Sequence, residues 1–251
     1  MIELQHLTVG DGSKAVLSDN NQSLTAGQMV CLLGANGVGK STVLRTLAGF
    51  LPPLSGKVLL DGQDMLSFSI SQRSQVVSVV LTERVEVPYM KVTDLVGMGR
   101  SPYTGFFGRL SKEDKKIVAE AIEMVGITEL AERTIDTLSD GERQKALLAK
   151  ALAQQTPVIL LDEPTAFLDF HAKVSTLRLM LRLAHETSKT IFLSTHDVEM
   201  AIQLSDALWI VQDGNIEAGT TSHLTESGTL QHFLQAEGIT YDADDRTLKI
   251  K

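Results

Sequence analysis

The chain has 251 residues, 23 basic against 31 acidic side chains, a formal net charge of −8, 43% hydrophobic residues and one cysteine. That balance excludes a disordered chain and an internal disulfide scaffold, and argues against broad binding to nucleic acid or to an anionic membrane surface. No apolar run approaches the roughly 18 residues of a membrane span and no signal peptide is expected, so the sequence reads as cytosolic and globular, forming one large domain or two small ones.

Strands alternate with helices along the chain, the pattern of a mainly parallel sheet covered by helices. Residues 29–33 read as a buried strand ending at Gly34, and 41–48 as a helix with Gly49 as its C-cap. A strand over 58–60 leads into an Asp61-Gly62 turn, and 76–81 is a further apolar strand. From about 83 to 155 the character becomes mostly helical. Ser111 precedes Lys112-Glu113-Asp114 as an N-cap with acids in the first turn, and Ile117, Ala121 and Val125, widened by Val118 and Ile122, form an amphipathic stripe stopped by Gly126. Ser139 opens another helix that runs to about Gln155. Strand and helix then alternate over 158–161, 170–187, 191–194 and 198–204. Residues 207–211 and 216–218 flank Asp213-Gly214 as a hairpin, and 239–250 form a second hairpin around Asp244-Asp245, too short for a regulatory domain.

Gly34-Ala35-Asn36-Gly37-Val38-Gly39-Lys40-Ser41 fits G-x-x-x-x-G-K-[ST] in the context that motif requires, after a strand and opening a helix. Its glycines let backbone N–H groups turn inward around phosphate oxygens, and the helix N-terminus adds a positive dipole. Lys40 would reach the β- and γ-phosphates and Ser41 would offer a hydroxyl to Mg²⁺. The strand over 158–161 ends in Asp162, placed to hold Mg²⁺ through water, and Glu163, which could polarise an attacking water. An apolar strand ending in Asp-Glu is common by itself; the upstream phosphate loop gives this one its meaning.

A third element narrows the reading. Leu138-Ser139-Asp140-Gly141-Glu142-Arg143-Gln144 resembles the Leu-Ser-Gly-Gly-Gln/Glu signature of ATP-binding-cassette (ABC) ATPases, and also forms a capping box, with Ser139 at N-cap and Glu142 at N3. Ala166-Phe167-Leu168-Asp169 looks like the D-loop of that family, and Ser194-Thr195-His196-Asp197 like its switch histidine. The resemblance implies a P-loop, RecA-like α/β core with a mainly parallel sheet, an N-terminal antiparallel β subdomain and a helical subdomain. In one nucleotide-binding domain spanning 1–251, the core would be 1–82 and 156–220, the helical part 83–155 and a short extension 221–251. It implies ATP held by Gly34, Asn36, Gly37, Gly39, Lys40, Ser41 and Thr42, the last bonding the α-phosphate, with Mg²⁺ at Ser41, Asp162 and Thr82. Glu163 would be the general base, and His196 would hold the γ-phosphate and water. Ser139, Gly141 and Asp169 would act across a head-to-tail homodimer enclosing two ATP molecules.

Val96 to Tyr103, with its Gly99-Arg100-Ser101-Pro102 stretch, and Arg109-Leu110-Ser111-Lys112-Glu113-Asp114 resemble the helical subdomain of importer ATPases for iron-siderophores, haem or vitamin B12. That implies a multi-span permease and a substrate-binding protein as partners, a peripheral place at the inner face of the membrane, and no nucleic acid. The alternative is a soluble ABC ATPase without a membrane partner, such as an iron–sulfur assembly scaffold. Tyr103, Phe106 and Phe107 either pack inside the helical insertion or line a groove for the permease's cytoplasmic helix. Three positions depart from the family. Asp11 stands where an aromatic stacks on adenine, leaving Val16 to supply apolar contact; Thr82 stands where a glutamine is expected; and Asp140 puts a carboxylate at a signature glycine, where like-charge repulsion would weaken closure. Cys31 reads as a small buried hydrophobe, and His6, His171, His185, His223 and His232 show no metal-ligand spacing.

Overall fold

The computed structural model describes residues 2–12, 14–81, 88–105, 107–235, 239–242 and 247–250. The chain runs through β1 (Ile2–Asp11), β2 (Lys14–Asn20), β3 (Ser23–Leu24) and β4 (Met29–Leu33) into α1 (Lys40–Leu47), then β5 (Ser55–Leu60), β6 (Gln63–Asp64), α2 (Ile70–Ser74) and β7 (Val77–Val80). A helical stretch follows, with α3 (Val92–Gly97), α4 (Lys112–Met124) and α5 (Asp140–Ala153) joined by short 3₁₀ turns. The alternation then resumes as β8 (Val158–Leu161), α6 (Phe170–Thr187), β9 (Thr190–Ser194), α7 (Val198–Leu204), β10 (Ala207–Gln212) and β11 (Asn215–Gly219). Two short helices, α8 (Thr221–Glu226) and α9 (Thr229–Gln235), precede β12 (Ile239–Asp242) and β13 (Thr247–Ile250).

The central sheet has the order β11-β10-β4-β9-β8-β7, parallel throughout except for the antiparallel edge strand β11. Every residue of β4, β8 and β9 is buried, because helices or a second sheet cover both faces. Alternate side chains feed two cores. Met29, Cys31 and Leu33 of β4, with Ile159 and Leu161 of β8, join the core under α3 to α7; Val30 and Leu32, with Val158 and Leu160, join the core shared with α1 and the N-terminal strands. Trp209 and Phe192 meet edge to face in that second core, their ring centroids 5.0 Å apart.

The second sheet is antiparallel, in the order β2-β1-β5-β6 with β3 against β1. Buried Asn20 stitches it to the central sheet: its side chain accepts from the Ile216 N–H at 2.7 Å and donates to the carbonyls of Leu7 and Ser18. The expected mixed α/β architecture with an antiparallel N-terminal region is therefore present. The expected elements differ mainly at their ends: α1 begins one residue earlier than read, β7 loses a residue at each end, and β5 starts at Ser55. The last two strands pair antiparallel, with the expected Asp244-Asp245 turn outside the described residues.

Among the described residues no helix is long and apolar enough to cross a membrane.

Candidate functional site

In an open parallel sheet, ligands bind beyond the carboxyl ends of the strands, and the sequence motifs converge there. The phosphate loop leaves β4 at Gly34, Asp162 and Glu163 follow β8, and Ser194 ends β9, the strand that separates them. Two positions need glycine for their backbone conformation. Gly37 has φ 78° and Gly39 φ 107°, and a Cβ on Gly39 would come within 2.9 Å of Val16 Cγ2. Half-buried Val16 therefore lies against the loop; the side chain of Asp11 is outside the described residues.

Lys40, 7% exposed, donates from Nζ to the carbonyls of Gly34 at 2.7 Å and Ala35 at 3.2 Å, so its amine curls back into the loop's concavity. Burial pushes its pKa below the ordinary lysine value, against the opposing pull of the Glu163 and Asp162 carboxylates. Both carboxylates therefore lie close enough to be felt by the amine. Ser41 Oγ donates to Asp162 Oδ1 at 3.2 Å. Thr42 follows on α1, half-buried, and exposed Asn36 and Gly37 lie at the loop's crest.

Ser194 joins the two carboxylate positions. Its fully buried hydroxyl donates to Asp162 Oδ1 at 2.7 Å and accepts from the Glu163 N–H at 2.9 Å. Glu163 has φ 47°, a left-handed conformation that costs a non-glycine residue on the order of 1 kcal/mol. In this conformation its Oε2 lies 2.6 Å from His196 Nδ1. The turn is closed by the Ala166 N–H donating to the Glu163 carbonyl. Behind His196, Asp197 accepts from Lys173 Nζ at 3.0 Å and from Thr165 Oγ1 at 3.4 Å, tying the switch segment to α6. Sequence reasoning gave no role to Ser194, Lys173 or Thr165.

The oxygen-only set of Ser41 and Asp162 suits a hard cation such as Mg²⁺, which takes one or two protein oxygens and completes its shell with phosphate and water. No cluster of three or more His, Cys, Asp or Glu side chains able to hold a metal occurs among the described residues. Thr82, the third expected position, lies outside them, as does Phe106.

The signature segment sits elsewhere in the chain. Ser139 caps α5: its Oγ accepts from the Glu142 N–H at 3.3 Å, while the Glu142 carboxylate accepts from the Ser139 N–H at 2.8 Å and hydroxyl at 2.9 Å. Those bonds hold the Glu142 pKa below the usual carboxylate range. The carboxylate of Asp140 lies 4.0 Å from the Arg143 guanidinium of its own helix, so its charge has a local partner. Gly141 leaves room: a Cβ there would meet nothing closer than Ala172 at 3.7 Å. Asp169 caps α6, accepting from the Ala172 N–H at 2.8 Å.

The Gly99-Arg100-Ser101-Pro102-Tyr103 stretch packs inside the helical region. Arg100 is buried, donating to Asp114 Oδ1 at 2.9 Å, to the Ala153 carbonyl at 2.8 Å and to Gln155 Oε1 at 2.9 Å, and it lies 4.1 Å over the Tyr103 ring. Tyr103 donates to the Gln154 carbonyl at 3.0 Å, while Phe107 is 84% exposed. Tyr103, 41% exposed, is thus tied to the helical region by its hydroxyl and by Arg100 rather than buried in it. Cys31 is buried, and burial pushes its thiol up to about 12, as expected of a structural side chain.

A model of the ABC transporter family matches residues 17–166. The chain is 39% identical over 218 residues to an uncharacterised ABC transporter ATP-binding protein of Methanocaldococcus jannaschii, covering 87% of this chain and 75% of that one. It is 35% identical over 252 residues to the iron(3+)-hydroxamate import ATP-binding protein FhuC of Bacillus subtilis, covering 99% and 92%. Among solved structures, it superposes with a TM-score of 0.80 and 28% identity on an inward-facing ABC transporter assigned to the metal-chelate type, covering 93% of this chain and 88% of that one. For the ATP-binding cassette MJ0796, in a dimeric post-hydrolysis state bound to ADP and Pi, the TM-score is 0.74 at 25% identity, covering 88% and 99%.

Proposed function

Because the chain belongs to the ABC transporter family, as an ATP-binding subunit with ATPase activity, we propose that it powers import of a metal chelate. In this reading the substrate is a siderophore complex, haem or cobalamin. The observation that carries the catalytic part is the unbroken run Ser41–Asp162–Ser194–Glu163–His196, joined by hydrogen bonds across three adjacent strands. Lys40, Ser41, Thr42 and the loop N–H groups bind the phosphates of ATP. Mg²⁺, when bound at Ser41 and Asp162, supplies positive charge to the phosphate oxygens. Glu163 takes a proton from water, the water oxygen bonds to the γ-phosphorus, and the bond to the bridging oxygen breaks, leaving ADP and phosphate. His196, held against Glu163, positions that water and the γ-phosphate.

The chain works as one nucleotide-binding domain with a core over 1–82 and 156–220, a helical part over 83–155 and an extension over 221–251. Two copies pair head to tail, so that Ser139, Gly141 and Asp169 of each meet the ATP held by the other. Exposed Phe50 and Ile70 line a groove of about 480 Å³ that also contains Val77, Val79 and Gln154. Gln154 accepts the Tyr103 hydroxyl through its carbonyl, so the groove borders the Gly99–Tyr103 turn. A multi-span permease docks there and holds the subunit at the inner face of the membrane, and a substrate-binding protein delivers the chelate. The import reading draws on the import function for which relatives such as FhuC are named.

The test is reconstitution in proteoliposomes with a metal-chelate permease from the same genome. ATP hydrolysis should rise several-fold when binding protein loaded with a ferric hydroxamate is added. A rate indifferent to permease and chelate would overturn the transport reading while leaving the ATPase intact.

A further inference from the structure

We propose that the groove between α4, α5 and α6 is a second ligand site, for a small, multiply charged phosphate compound. The groove, of about 620 Å³, is of the size that takes small organic ligands. Lys145 of α5 lines one wall; His171, Ser175, Arg178 and Arg182 of α6 line the other. These four α6 positions follow one another at spacings of four, three and four residues, so they form one stripe on the helix.

No carboxylate lines the groove among the described residues, in a chain whose net charge is −8. Arg182 is placed by its own partners: it donates to the Met124 carbonyl at 3.4 Å and lies 3.9 Å from Glu186. Glu142, which feels the charge of Lys145, is itself engaged by Ser139. Arg178 and Arg182, one turn apart, repel each other, and an anion between them and Lys145 reverses that cost. Guanidinium forks match phosphate oxygens two at a time, and three cations from two helices favour a ligand with more than one phosphate.

The residues of the nucleotide site do not line this groove. It joins the helix that Ser139 caps to the helix that Asp169 caps. A ligand spanning Lys145 and Arg178 thus ties together the two segments on which pairing with another copy would depend.

The probe is tripolyphosphate, titrated calorimetrically and by thermal shift into the full chain pre-saturated with ADP in Mg²⁺-free buffer, so that the phosphate loop is filled and no free cation takes up the probe. One saturable site is expected, raising Tm by about 3–5 °C at ten times Kd. Lys145→Ala with Arg178→Ala, both surface changes whose unliganded melting is measured alongside, should weaken binding at least tenfold. Arg178→Lys should restore part of it. Absence of a saturable site, or binding unchanged in the double variant, overturns the proposal. Citrate binding as tightly as tripolyphosphate overturns the phosphate class.

Discussion

At the scale of single residues, the site is built from side chains held in unusual states by their neighbours. Glu163 sits in a left-handed conformation and points at His196. Glu163→Gln keeps the shape but cannot accept a proton. Steady-state hydrolysis should fall by about 10²–10⁴-fold while ATP affinity stays within a few-fold, read by a phosphate-release assay and by nucleotide titration. Turnover near that of the unmodified chain would remove Glu163 from the role of base. Ser194→Ala tests the hydroxyl that bridges the two carboxylate positions. It leaves a part-buried Glu163 N–H without its acceptor, at a cost of about 1–3 kcal/mol. The expected outcome is a lower kcat with little change in ATP affinity, and recovery in Ser194→Thr; a drop in affinity alone would contradict it.

Ser194 also marks where sequence reading stops. The phosphate loop and the Asp162-Glu163 pair are legible because each lies in a short contiguous stretch with its own chemistry. Ser194 matters because β9 lies between β4 and β8, and strand order is not written in local spacing. Local spacing is silent on Lys173 and Thr165 for the same reason, since their link to Asp197 exists only once α6 packs beside the His196 segment.

At the scale of elements, the strands buried on both faces were readable as apolar runs, and the reading of 29–33 and 158–161 matches β4 and β8 residue for residue. The N-terminal strands did not stand out one by one. β1 carries register shifts against both β2 and β5, and His6 has φ 48°, so its buried positions break the period of two. Helix starts were legible through their caps, and one of those caps makes a prediction. Ser139→Ala removes an N-cap and half of a capping box, and should lower stability by about 1 kcal/mol in a melting experiment without nucleotide. If Ser139 also serves the neighbouring copy, ATP-driven pairing should weaken beyond what that loss explains. Asp140→Gly bears on the same turn. Because Arg143 offsets the Asp140 charge, the basal ATPase rate should rise less than threefold at low salt and return towards parity as salt increases. A tenfold rise would show that the nucleotide feels the full charge.

At the scale of the molecule, a buried ion pair bolts the helical region together. Arg100 and Asp114 meet at 2.9 Å, and Asp114 is also held by the Ser111 hydroxyl and N–H. The Ser111 bonds, with those of Arg100, keep the Asp114 pKa down at about 2, against an ordinary 3.8. A carboxylate depressed on folding adds stability above its unfolded value and loses it as pH falls through its folded value. The contribution of Asp114 should therefore be complete above pH 4 and disappear towards pH 2. Asp114→Asn leaves Arg100 buried without its counter-charge and should cost about 3 kcal/mol at neutral pH. Melting both proteins from pH 6 to pH 2 should show the gap closing; a gap independent of pH would locate the stabilisation outside the carboxylate charge.

The strand order has a consequence for synthesis. β4 lies between β9 and β10, which leave the ribosome about 160 and about 180 residues after it, roughly ten to thirty seconds at ordinary elongation rates. Until β9 emerges Met29–Leu33 has neither of its sheet neighbours, and the phosphate loop hangs from an unpaired hydrophobic edge. The nucleotide site is thus among the later features a nascent chain can complete, and a chain stalled before β9 exposes a sticky segment rather than a partial enzyme.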